Sequence, residues 1–127
     1  MLNKVNLIGN VGNSPETKSF QNGNRVINFT LATSESYKDK NGEKQTITQW
    51  HNITVLNENT IKFVENYVKK GMKLYVEGSI KYEKYTAQDG TEKTATKIVV
   101  LKGDVKILSD ARKDGGFDSN ENKSAGN

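Results

Sequence analysis

Residues 57–71, NENTIKFVENYVKKG, form the one segment of this chain whose apolar residues recur at helical spacing. Ile61, Val64 and Val68 stand at i, i+3 and i+7, with Tyr67 alongside, which puts them on one face of a short amphipathic helix. Asn57 or Asn59 can cap its start. Lys69 and Lys70 suit its negative dipole end, and Gly71 can close it in a left-handed conformation. On either side the period changes to two. Before the helix, TITQWHNITVL (46–56) sets Ile47, Gln49, His51, Ile53 and Val55 on one face and Thr46, Thr48, Trp50, Asn52 and Thr54 on the other. After it, Met72, Leu74, Val76 and Ile80 alternate with Lys73, Tyr75, Glu77 and Lys81.

Working outward, Val5, Leu7, Gly9 and Val11 alternate with Asn6, Ile8 and Asn10, with Gly9 and Gly12 as bends or points of close packing. Asn22-Gly23, Asn41-Gly42 and Asp89-Gly90 each lie between extended runs and read as hairpin turns. Ile27, Phe29 and Leu31 share a face after the first turn, and a last strand runs from Thr94 to Leu108, interrupted by Gly103. The order is three strands, one helix and two strands, with long hairpins. That describes an all-β chain with one helix, folded as a small five-stranded Greek-key barrel, because a plain sandwich would not need the lone helix. Residues 1–109 are the expected folded domain. Residues 110–127, DARKDGGFDSNENKSAGN, have almost nothing apolar to bury and read as a disordered C-terminal tail.

Composition narrows the chemistry. The chain has 127 residues, of which 33% are hydrophobic, so it holds one domain with a modest core. It has no cysteine, which removes thiol catalysis and disulfides. One histidine and scattered carboxylates give no metal-ligand spacing, and no cofactor motif is present. His51 has no nucleophile patterned beside it and reads as a hydrogen-bonded core or interface residue, so an enzyme is not expected. No long apolar run or signal peptide is visible, so a soluble cytoplasmic protein without a membrane partner is expected. The formal charge is +4, carried by a basic body ahead of a slightly acidic tail, which suggests an anionic partner.

The aromatics say which anion. Trp50 falls on the polar face of its strand, and Tyr85 shares the outward parity of Lys73, Tyr75 and Lys81. Tyr37 closes the second strand, where strict alternation puts it with Ile27 and Phe29 unless a bulge or the strand end turns it outward. Lys38, Lys40, Lys44, Lys81 and Lys84 are interleaved with these rings, with Lys73 and Arg25 as further cations. Unpaired bases offer π-faces that stack on aromatics at ~1–3 kcal/mol per base with little sequence preference. Lysines neutralise phosphates and make binding salt-dependent. The competing reading is that the same rings cover a subunit interface or the end of the barrel.

Five blocks in order carry a family resemblance: NKVNLIGNVGNSPE, INFTLATSESYKDKNGE, TQWHNITV, YVKKGMKLYVEGSIKYEKYTAQDG and VKIL. Together they resemble the bacterial-type single-stranded DNA-binding proteins over roughly residues 1–109. The resemblance implies an oligonucleotide/oligosaccharide-binding (OB) fold, usually a homotetramer, which coats single-stranded DNA in replication, recombination and repair. Trp50 matches the family's stacking tryptophan. Tyr37 and Tyr85 fall where tryptophan is frequent, Leu56 where many members stack a phenylalanine, and Glu83 among positions that are often basic. His51 matches a histidine at the subunit interface. Family members typically end in an acidic tip with a Pro-Phe-like motif that recruits replication and repair proteins, whereas this sequence ends NENKSAGN, which fits a phage- or plasmid-encoded member or a chain lacking the tip. The alternative function is an OB-fold primosome or protein-interaction component with weak nucleic-acid binding.

Overall fold

The computed structural model describes residues 1–110. The expectation of a disordered tail falls almost wholly on residues outside that range. Seven elements follow in order: β1 (Val5–Val11), β2 (Glu16–Ser19), β3 (Arg25–Lys38), β4 (Lys44–Val55), α1 (Glu58–Tyr67), β5 (Lys73–Thr86) and β6 (Glu92–Ser109). The sheet order is β1-β5-β6-β4-β3-β2, and an additional β1–β3 pairing closes β1, β5, β6, β4 and β3 into a five-stranded barrel. The β4–β6 pairing is parallel and the others are antiparallel. This is the Greek-key barrel expected from the lone helix, with α1 between the third and fourth barrel strands. The sixth strand, β2, pairs along the same edge of β3 as β1 does, so it continues β1 beyond the break at residues 12–15.

Alternation builds the core. Ile27, Phe29 and Leu31 of β3, Ile53 and Val55 of β4, Leu74 and Val76 of β5, and Ile98 and Val100 of β6 all point inward and are buried. From α1 and the turn after it, Ile61, Val64, Val68 and Met72 cover one end. No polar or charged residue is buried among those described, so the core rests on apolar burial alone. The helix starts where its sequence indicates: the Asn57 side chain accepts hydrogen bonds from the amides of Asn59 and Thr60. Its end differs. Tyr67 is the last helical residue, Val68 is already extended and buried, and Gly71 has φ +93° in the following turn. Burying Val68 ended the helix before the lysines, which therefore sit beyond its last turn.

All three hairpin turns share one geometry. The amide of the turn glycine donates back to Phe20, Asp39 or Ala87, and a second bond joins the flanking residues, as from Asp39 N to Glu43 O. The glycines have φ between +79° and +87°. This is a three-residue loop whose left-handed glycine ends a tight turn, rather than the two-residue turn for which Asn-Gly is best known. Two of these turns carry long arms, because β3–β4 and β5–β6 run well past the barrel. Gly103 marks a close backbone crossing: a Cβ there would collide with the Glu77 carbonyl, and the β5–β6 register shifts beside it.

Candidate nucleic-acid interface

The ladders set the residues of the outer surface side by side. Lys73 of β5 is opposite Asn10 of β1, Asn10 is opposite Ala32 of β3, and Ala32 is opposite Trp50 of β4. One row therefore crosses four strands on a single face. Trp50 is 63% exposed even though it is the largest side chain of the molecule. Its ring edge lies over Gly12, where a Cβ would collide with both the indole and the Thr30 hydroxyl. The glycine supports one part of the ring and leaves the rest open to a ligand.

His51 points the other way. Its Nε2 is 2.8 Å from the Thr33 hydroxyl, and it stands opposite Leu31 at the last half-buried inward position of β4. Beyond it the inward parity continues but the barrel does not, so Gln49 and Ile47 are exposed. Parity assigned Ile47 its face, and the protruding arm leaves that face uncovered. The same applies to Tyr37. An unbroken ladder runs from Ile27 opposite Val55 to Lys38 opposite Lys44, so no bulge turns Tyr37 round. It is accessible, but on the opposite ribbon face from Trp50.

Tyr85 is exposed opposite Lys93 and shares its face with Glu83, Lys81 and Lys97. Lys84 stands opposite Thr94 on the other face, with Tyr82. Lys38, Lys40, Lys44, Lys73 and Lys84 are exposed and have no ion-pair partner among the described residues. Lys38 and Lys44 are direct cross-strand neighbours. Like charges so placed destabilise a hairpin, and an anion between them would relieve that cost.

Two of the expected phosphate contacts are already engaged. Arg25 bridges Glu58 at 2.5 Å and Glu65 at 3.0 Å, tying β3 to α1. Its hydrogen bond holds the Glu58 carboxyl below its ordinary range. Arg25 therefore clamps the helix to β3, and a phosphate would have to compete with Glu58 and Glu65 for it. Lys81 is 3.6 Å from Glu83, which also binds Lys97 at 2.7 Å.

Sequence reasoning missed a polar groove of about 310 Å³ beside Trp50, lined by Asn13, Lys18, Asn28, Thr30, Asn52 and Lys97 among others. Asn13 accepts hydrogen bonds from both the amide and the hydroxyl of Thr30. Lys97 belongs there because β6 lies parallel to β4 with Ile98 opposite Ile53, which brings Lys97 next to Asn52. That pairing joins strands distant in sequence, so alternation alone carries no signal for it.

Residues 2–108 match the single-strand binding protein family. The chain belongs to that family. It is 46% identical over 100 residues to the single-stranded DNA-binding protein of Rhizobium meliloti (strain 1021), covering 78% of this chain and 58% of that one. The chain thus spans little more than half the length of that relative. Among solved structures, it is similar to the Plasmodium falciparum SSB in complex with ssDNA, with TM-score 0.79 and 36% identity over 86% of this chain and 96% of that one. It also shares its fold with a deletion mutant of the Thermus aquaticus single-stranded DNA-binding protein, at TM-score 0.69 and 22% identity over 85% and 51% of the two chains. Family and fold agree with the resemblance read from the five sequence blocks.

Proposed function

We propose that this chain binds and coats single-stranded DNA without strong sequence preference, in replication, recombination and repair. The observation that carries this reading is the open Trp50 ring on the outer face, in one row with Lys73 and beside a polar groove, in a member of the single-strand binding protein family. Trp50 and Tyr85 stack bases. Lys38, Lys40, Lys44 and Lys73 neutralise phosphates, Lys84 does so on the reverse of its arm, and Lys81 does so once released from Glu83. Tyr37 stacks on a strand that folds around the β3–β4 arm. Duplex DNA hides its base faces and does not fit this surface. No helix among the described residues is long and apolar enough to cross a membrane, and the proposed place of action is the nucleoid in the cytoplasm.

The chain acts as a homo-oligomer, with a tetramer as the proposed form. Half-exposed Ile8 on β1 begins a cross-strand row that continues through Tyr75 to Lys106, and suits a subunit contact on the barrel side formed by β1, β5 and β6. His51 is a second contact. Because Trp50 is the only tryptophan, its emission reports one place. Oligo(dT) should quench it strongly, salt should restore it, and duplex DNA should do little. Emission unchanged by excess oligo(dT) would remove Trp50 from the interface.

A further inference from the structure

The two arms carry matching lysine pairs that the molecule treats differently. In the β3–β4 arm, Lys38 stands directly opposite Lys44 without a counter-ion among the described residues. In the β5–β6 arm, Lys81 stands directly opposite Lys97. Here Glu83, one step along the same face, reaches both: 2.7 Å to Lys97 and 3.6 Å to Lys81. Glu83 also lies between Tyr85 and the groove that holds Lys97, with Ala95 across from it. Any strand running from Tyr85 to the groove passes over this carboxylate.

Resting on the reading that this surface binds single strands, we propose that Glu83 is a built-in stand-in for phosphate. It holds Lys81 and Lys97 in the free protein and must yield them when a strand arrives. The geometry matches that role: one carboxylate between two ammonium groups occupies the place a backbone phosphate would take. The Lys97 hydrogen bond keeps the Glu83 carboxyl below its ordinary range, so it is ionised and engaged at neutral pH. Displacing it costs the ion pairs and leaves an anion beside the strand. The local cluster then offers a net charge of one where the Lys38–Lys44 pair offers two. The Lys81–Lys97 pair accordingly holds a phosphate more weakly and with a shallower salt dependence than the Lys38–Lys44 pair, and Glu83 sets that difference.

The test is Glu83→Gln, with Glu83→Ala as a second variant, using the anisotropy of a labelled oligo(dT) over a salt series. Binding at low salt should tighten about threefold, as expected for a surface ion pair no longer broken. The plot of log K against log salt should steepen by about 0.7, one further effective phosphate contact on a single strand. In a Lys81→Gln/Lys97→Gln background the same change should gain less, because only the carboxylate's repulsion of the strand is then removed; an equal gain there would overturn the proposal. Unchanged affinity and slope in both variants would overturn the proposal. Weaker binding by Glu83→Gln would also overturn it, because it would mean that the carboxylate contacts the DNA itself. If the wild-type chain binds oligo(dT) while the variants match it, only this proposal falls. A wild-type chain that fails to bind would remove the single-strand reading and this proposal together.

Discussion

Trp50 stands outward and 63% exposed, and Gly12 is what lets its ring edge lie against the barrel. A Cβ at residue 12 would meet the indole and the Thr30 hydroxyl together, so Gly12→Val must lift the ring from the barrel. We expect this variant to fold and to retain the phosphate contacts, but to lose much of the stacking. Its affinity for oligo(dT) should fall by about 1–3 kcal/mol, the same range as Trp50→Ala, and combining the two should cost little more than either. Additive losses in that double-mutant cycle would show that Gly12 acts elsewhere. At the same scale, His51 uses Nε2 on Thr33 within its own chain. If it also lies at a subunit contact, His51→Tyr should shift sedimentation toward smaller species. An unaltered oligomer at low concentration would place the contact elsewhere.

The hairpin arms are the elements that carry charge, and the β3–β4 arm shows the cost. Lys38 opposite Lys44 is an unfavourable cross-strand pair. Replacing both by glutamine should therefore raise the thermal midpoint slightly while making log K against log salt shallower by about 1.4, two contacts at about 0.7 each. Stability and binding moving in opposite directions is the signature of a site held open for an anion. A fall in both would mean that the lysines support the arm. Helix α1 gives a second element-scale expectation. Arg25 lowers the Glu58 carboxyl below its ordinary value of 4.5. The resulting stability is fully present above that value and is lost as pH falls through the folded-state value. Acid unfolding of Arg25→Gln should therefore lack this component, whereas the wild type loses it in the acid range below 4.5. The element scale also shows what the sequence could reveal. Period-two alternation found every barrel strand, and the period change found α1, because each is a local pattern. Alternation assigned Ile47 and Tyr37 their faces correctly but not their exposure, since it cannot tell where a strand leaves the barrel. The Lys81–Lys97 pair was not legible from the Asp89-Gly90 signal alone: a two-residue turn there would set Lys81 opposite Ile98, and the three-residue loop shifts the register by one. The ion pairs of Arg25 were not legible because its carboxylate partners lie on α1, 33 and 40 residues away.

At the scale of the whole molecule, the barrel is closed by very little. β1 meets β3 only where Asn10 faces Ala32 and Val11 faces Leu31. That seam also joins the two halves of the proposed binding surface, since Lys73 reaches Trp50 only through Asn10 and Ala32. Gly9 makes the close approach possible, because a Cβ there would run into the Ala32 carbonyl. A backbone oxygen held in a ladder cannot swing aside as a side chain can, so Gly9→Val must push β1 away from β3. The expected cost is about 1–3 kcal/mol, as for other forced insertions into packed interiors, measured by urea unfolding with the slope checked for two-state behaviour. Binding should weaken as well, even under conditions where the variant is fully folded, because widening the seam separates Lys73 from Trp50. The salt slope should become shallower, while quenching of Trp50 by saturating oligo(dT) should persist. A variant that loses stability but keeps the wild-type slope would show that the two sides of the seam bind the strand independently.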